Sequence, residues 1–198
     1  MRNLILLGCI LIFKFNIKAS DTSIVSNNKT KPTVFHFSST RPSFSEGALL
    51  VPSGKAQVEL GVEYKYFKGN AHEIQHPSFL IKYGISKYFE FRINGDATTY
   101  KSDTGSITGF HPIFIGMKLK MIDAKRYAPA SSFICGLSIN YVSTKNFRTK
   151  MMAPYFKIAL EQFLPKNVGM VYNYGLIWNG EDAKPTYNMA IATSYTHL

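Results

Sequence analysis

Apolar and polar residues alternate strictly across residues 56–66 of this chain. Ala56, Val58, Leu60, Val62, Tyr64 and Tyr66 share one parity, and Gln57, Glu59, Gly61, Glu63 and Lys65 share the other. Successive strand side chains point to opposite sides, so the stretch predicts a strand with one apolar and one charged face. The period returns down the chain. Phe79, Ile81, Tyr83 and Ile85 oppose Ser78, Leu80, Lys82 and Gly84, and Phe89, Phe91 and Ile93 oppose Glu90, Arg92 and Asn94. Ile113, Ile115, Met117, Leu119 and Met121 oppose Phe114, Gly116, Lys118 and Lys120.

A fifth strand sets Phe133, Cys135, Leu137, Ile139 and Tyr141 against Ser132, Ile134, Gly136, Ser138 and Asn140. A sixth sets Phe156, Ile158 and Leu160 against Tyr155, Lys157, Ala159 and Glu161. In the seventh, Met170, Tyr172, Tyr174, Leu176 and Trp178 face out, with Asn173 and Gly175 facing in. The eighth puts Tyr187, Met189, Ile191, Thr193 and Tyr195 opposite Asn188, Ala190, Ala192 and Ser194. Short turns are expected at 84–87 and 165–167, and longer polar loops at 98–109 and 144–150. That asymmetry suits an outer-membrane barrel with short periplasmic turns and longer external loops. The predicted fold is an all-β, antiparallel, up-and-down transmembrane β-barrel with about eight strands visible.

A soluble barrel or sandwich has the same period with its apolar face turned inward. Three features favour the membrane. The polar face is charged on several successive strands, the apolar face is bulky almost throughout, and Tyr66, Tyr141, Trp178, Tyr187 and Tyr195 recur at strand ends as interfacial aromatics do. The N-terminus agrees. Met1-Arg2-Asn3 is followed by an apolar run from Leu4 to Phe13 and small residues at Ala19-Ser20, the order of a secretory signal peptide. Cleavage is expected after Ala19 or Ser20. Residues 1–20 are thus read as signal, 21–38 as a mobile mature N-terminus, and 39–198 as the barrel. The predicted location is the outer membrane of a Gram-negative bacterium.

The formal net charge of +11 would ordinarily raise nucleic acid as a partner. Export and the scatter of the basic residues argue against it, and outer-membrane lipid is the expected partner. Cys135 stands alone after processing, so no internal disulfide is expected. His72 and His76 have helical ligand spacing without a helix, so no metal or other cofactor is predicted. No nucleophile elbow or Ser/His/Asp ordering stands out, and the chain is read as a non-enzyme.

Short motifs between Arg41 and Asn94 are more specific. Arg41-Pro42 with Ser45-Glu46 precedes Pro52-Ser53-Gly54 and the strand Gln57-Val58-Glu59-Leu60-Gly61. Lys82-Tyr83-Gly84-Ile85-Ser86 and Glu90-Phe91-Arg92 follow. In order and spacing these resemble the outer-membrane transporter-like family named after the meta-cleavage pathway of phenol degradation. The resemblance implies a channel or uptake role for small solutes, aromatic or hydrophobic ones included. Family members run several strands further, whereas this chain stops at Thr196-His197-Leu198. The eight strands therefore either close a narrow barrel or form part of a larger one.

The expected lumen residues are Gln57, Glu59, Glu63, Lys65, Lys82, Glu90, Arg92, Lys118 and Lys120. They read in two ways: as a charged constriction that selects solute, or as a salt-bridge network filling the interior. Eight strands favour the filled interior, because such a barrel is just wide enough for its own side chains. A filled barrel would be a structural or adhesive protein working through its loops. A third possibility, a soluble periplasmic lipocalin-like binder, would turn Phe89, Phe91 and Ile93 inward.

Overall fold

A computed structural model describes residues 45–67, 71–124, 128–165 and 168–195. The expectations for residues 1–38, together with Arg41 and Pro42, lie outside the described residues. Nine strands follow in order: β1 (Ala56–Tyr66), β2 (His72–Gly84), β3 (Phe89–Ser102), β4 (Gly105–Phe110), β5 (Ile113–Ile122), β6 (Ala130–Ile139), β7 (Ala153–Leu164), β8 (Val168–Ile177) and β9 (Thr186–Tyr195). They form one antiparallel sheet in the order β1-β2-β3-β5-β6-β7-β8-β9, with β4 set aside on β3. Among the described residues no helix is long and apolar enough to cross a membrane.

The register carries each parity across the whole sheet. Val58, Ile81, Ile93, Ile115 and Leu137 are successive partners on one face. Glu90, Lys118, Ile134 and Lys157 are successive partners on the other. The apolar face is the exposed one: Phe89 is 47% and Met117 45% accessible, while Glu90, Arg92 and Lys118 are each 2% or less. This inverts the burial order of a water-soluble domain. Phe89 and Phe91 lie exposed on the outer face, and Ile93 shares their side.

The sheet must also curl. β3 and β8 are four ladder steps apart, about 19 Å in a flat sheet. Yet Glu46 bonds both Arg92 of β3 and Asn173 of β8. The strands wrap round that residue into a half-barrel with its charged face inward, and no ladder joins β1 to β9 among the described strands.

Residues 45–51 run through the concavity, and exposed residues 52–55 lead from it into β1. The segment leaves by a turn in which the Lys55 N–H donates to Pro52 O at 3.0 Å. Gly54 sits there at φ 73°, a conformation that costs glycine little. The Gly54 N–H donates to Gly84 O at 2.7 Å, and the Gly84 N–H to Lys55 O at 3.0 Å. A side chain at position 84 would collide with the Val51 and Pro52 main chain, so Gly84 is the floor on which the segment crosses.

Two expectations change. Residues 98–109 are not a loop: β3 continues to Ser102, and β4 pairs back onto it from Ser102↔Gly105 to Ala97↔Phe110. With polar residues on both faces, this hairpin lacks the alternation that marks the wall strands, although its Thr, Tyr and Ile content favours strand. The fifth predicted strand ends at Ile139, and Asn140–Val142 forms a 3-10 turn. Its Ser143 hydroxyl donates to Asn140 O at 2.5 Å.

The crossing at Gly84 yields a test. Gly84→Val is expected to cost about 1–3 kcal/mol by overpacking and to lift residues 45–51 from the sheet. Limited proteolysis should then cut within that segment in the variant and spare it in the wild type. Equal protection in both would refute the crossing.

Candidate functional site: a segment clamped by the inner wall

A buried stretch of chain with no ladder partner must satisfy its backbone groups elsewhere. For residues 46–51, wall side chains do this. The Glu46 N–H donates to Asn173 Oδ1 at 2.5 Å, and Asn173 Nδ2 donates back to Glu46 O at 2.8 Å. The Ala48 and Leu49 N–H groups donate to Glu161 Oε2 at 2.8 and 3.3 Å. The Val51 N–H donates to Glu90 Oε2 at 2.7 Å. Lys118 Nζ donates to the carbonyls of Gly47 and Leu49, each at 2.7 Å. Four strands thus grip one segment, mostly through bonds with a charged partner, roughly twice as strong as neutral ones.

The Glu46 side chain completes the clamp. Its carboxylate pairs with Arg92 Nη1 and lies 3.6 Å from Lys157 Nζ. Arg92 Nε stands 3.0 Å from Glu90 Oε1. Beside this group, Lys82 Nζ lies 2.5 Å from Glu59 Oε1, which also accepts from Gln57 Nε2 at 2.9 Å.

The remaining predicted lumen residues do not join the clamp. Glu63 and Lys65 lie further along β1, where Lys65 Nζ is 3.6 Å from Glu63 and 3.2 Å from Glu73. Lys120 pairs with Asp123 beyond β5. At the β4–β5 connection, His111 Nδ1 is 2.5 Å from Asp96 Oδ2, and its ring meets Phe147 edge-on at 4.8 Å. The hydrogen bond to Asp96 raises the His111 pKa above 6.5 against the opposing effect of burial. His72 stacks on Tyr64, and His76 Nε2 lies 2.8 Å from Thr99 Oγ1.

Next to the Glu46–Arg92 pair lies a cavity of about 180 Å³. Its origin is legible in the register, where Arg92, Gly116, Gly136 and Tyr155 are successive inward partners. Two glycines between two long side chains leave a gap. The Phe114 ring folds over both glycines, where any Cβ would strike it, and meets Tyr155 edge-on at 5.3 Å. Asn94 and Ser138 add polar groups, and Leu80 and Ile134 close the apolar side.

The sequence profile of one protein family, described as "Putative MetA-pathway of phenol degradation", matches residues 39–197. The chain belongs to this family. No curated protein and no solved structure matches it. Several of the residues that carry the resemblance, among those described, meet in space here. Glu46 pairs with Arg92, Glu90 receives the Val51 N–H, and Gly54 bonds Gly84. Gln57 and Glu59 form the adjoining pair with Lys82. Gly61 O accepts from the Ser78 hydroxyl at 3.0 Å, and Tyr83 faces outward, half-exposed.

Three clamp residues fall outside the predicted lumen set: Lys157, Glu161 and Asn173. Their strand parity already places them on the polar face. That set gathers mainly the strands nearest the N-terminus and treats the interior as side chains alone. It contains no main chain for Glu161 and Asn173 to bind.

Two outcomes are expected. Arg92→Met leaves Glu46 and Glu90 buried without their guanidinium and should cost about 3–5 kcal/mol. In a Glu46→Gln background the penalty should fall by at least about 1 kcal/mol, read by denaturant titration of the refolded protein; an additive cycle would deny the pairing. For His111 the folded pKa exceeds the ordinary value, so its contribution is complete below about pH 6.5 and fades as pH rises through the folded value. The melting-temperature gap between wild type and His111→Gln should therefore be widest at pH 5–6 and narrow towards pH 9.

Proposed function

We infer that the chain is the wall of an outer-membrane β-barrel for passage of small solutes, with residues 45–51 lying in its lumen. One observation carries this reading: large apolar side chains cover the exposed outer face, while five of the expected lumen charges are buried within. In water that arrangement would leave a broad apolar surface uncovered. In a bilayer the same face meets hydrocarbon, and the antiparallel ladder satisfies the backbone between neighbouring strands. The lipid of the outer membrane is then the partner of the outer face. Binding and passage, with no bond made or broken, is the proposed activity, in keeping with the family's link to phenol degradation.

The clamped segment favours a second reading, a barrel whose filled interior is structural and whose loops do the work. Solute-specific conductance in planar bilayers separates the two, since a permanently filled barrel passes no solute.

Membrane fractionation with boiled and unboiled gel samples tests the location. A detergent-dependent outer-membrane band that shifts on boiling is expected, and a soluble periplasmic band without a shift would overturn the reading. Ile115→Arg, at mid-strand on the outer face, should cost about 2–4 kcal/mol for folding into liposomes.

A further inference from the structure

Arg92 is buried with donor capacity to spare. Its side chain is 3% exposed, and it gives Glu46 only Nη1. Nη2 has no hydrogen-bond partner among the described residues. A guanidinium is built to grip a carboxylate with two parallel N–H donors, and Glu46 uses one. Lys157 and Lys118 stand around the same point, one beside the carboxylate and one on the carbonyls that follow it. The wall therefore offers an anion site whose present occupant belongs to a segment that is not part of the wall.

The adjoining cavity narrows the ligand. A cavity of about 150 Å³ takes benzene, so one of about 180 Å³ takes a single ring with a small substituent. Its Phe114 and Tyr155 walls stand edge-to-face, and the glycines at 116 and 136 give the Phe114 ring the room to lie flat against the wall.

We propose that this chamber binds a small aromatic carboxylate, which takes both terminal nitrogens of Arg92 in place of Glu46 and seats its ring in the adjoining cavity, against the Phe114–Tyr155 pair. Binding releases the side-chain anchor of residues 45–51 and so couples solute recognition to clearing of the lumen. This rests on the reading of the chain as a solute-passing wall and names the solute class. An internal occupant lowers apparent affinity by the fraction of time it holds the site, so its removal tightens binding.

The test is equilibrium binding of benzoate to the full chain refolded in detergent, with phenol and acetate as comparisons. Benzoate should bind better than either. Glu46→Gln, which keeps an acceptor for Arg92 but gives up the charge, should tighten benzoate by about tenfold or more. Ser138→Leu, which fills the chamber and keeps every charge, should abolish binding without unfolding the protein. Equal benzoate affinity in wild type and Glu46→Gln would overturn the proposal. So would phenol binding as well as benzoate, or no benzoate binding to either folded protein. Each of those results leaves membrane fractionation and the gel shift untouched, so failure here is distinct from failure of the barrel reading.

Discussion

The clamp inside this half-barrel follows from one requirement: the main chain of residues 46–51 runs along the inner wall with no strand paired to it. Its N–H and C=O groups need partners, and the wall supplies carboxylates, an ammonium and an amide at the right heights. Those groups are costly to bury alone. Each is tolerated because the segment gives it something to bind, and the segment stays because they do. Wall and segment are two halves of one polar network, and deleting either half would strand the other.

The inside-out burial has a simple origin in the two-residue period. Once the charged parity of one strand faces in, antiparallel register carries the choice to its neighbours, since a slip by one residue would reverse every side chain. The rows through Glu90 and Val58 are that rule written across successive strands. The chamber beside Arg92 is the same logic with glycine: where two inward partners lack side chains, the row has a hole, and one aromatic ring from the next row partly fills it.

Much of this was legible in the sequence, and the gaps have physical causes. The bounds of β1, the parity of every wall strand and the inward set from Glu59 to Lys118 follow from alternation alone. The β3–β4 hairpin escapes because both its faces are polar, which removes the only periodic signal a strand gives. Residues 45–51 escape for a different reason: a segment satisfied by side chains scattered over four strands carries no local pattern at all. The resemblance motifs mark both ends of it, at Glu46 and Gly54, without revealing that the stretch between them lies inside.

The turn at Gly54 also sets a scale for competition. Residues 45–51 are joined to β1 through a few residues, and the bonds between Gly54 and Gly84 hold the near end in place even if the far end lets go. A group tethered so closely meets its partners at an effective concentration of millimolar order. A diffusing molecule that shares the clamp competes against that local supply. Under the proposed solute binding, occupancy of the clamp would be graded by how much of the competitor is present outside, with the length of the tether fixing the threshold.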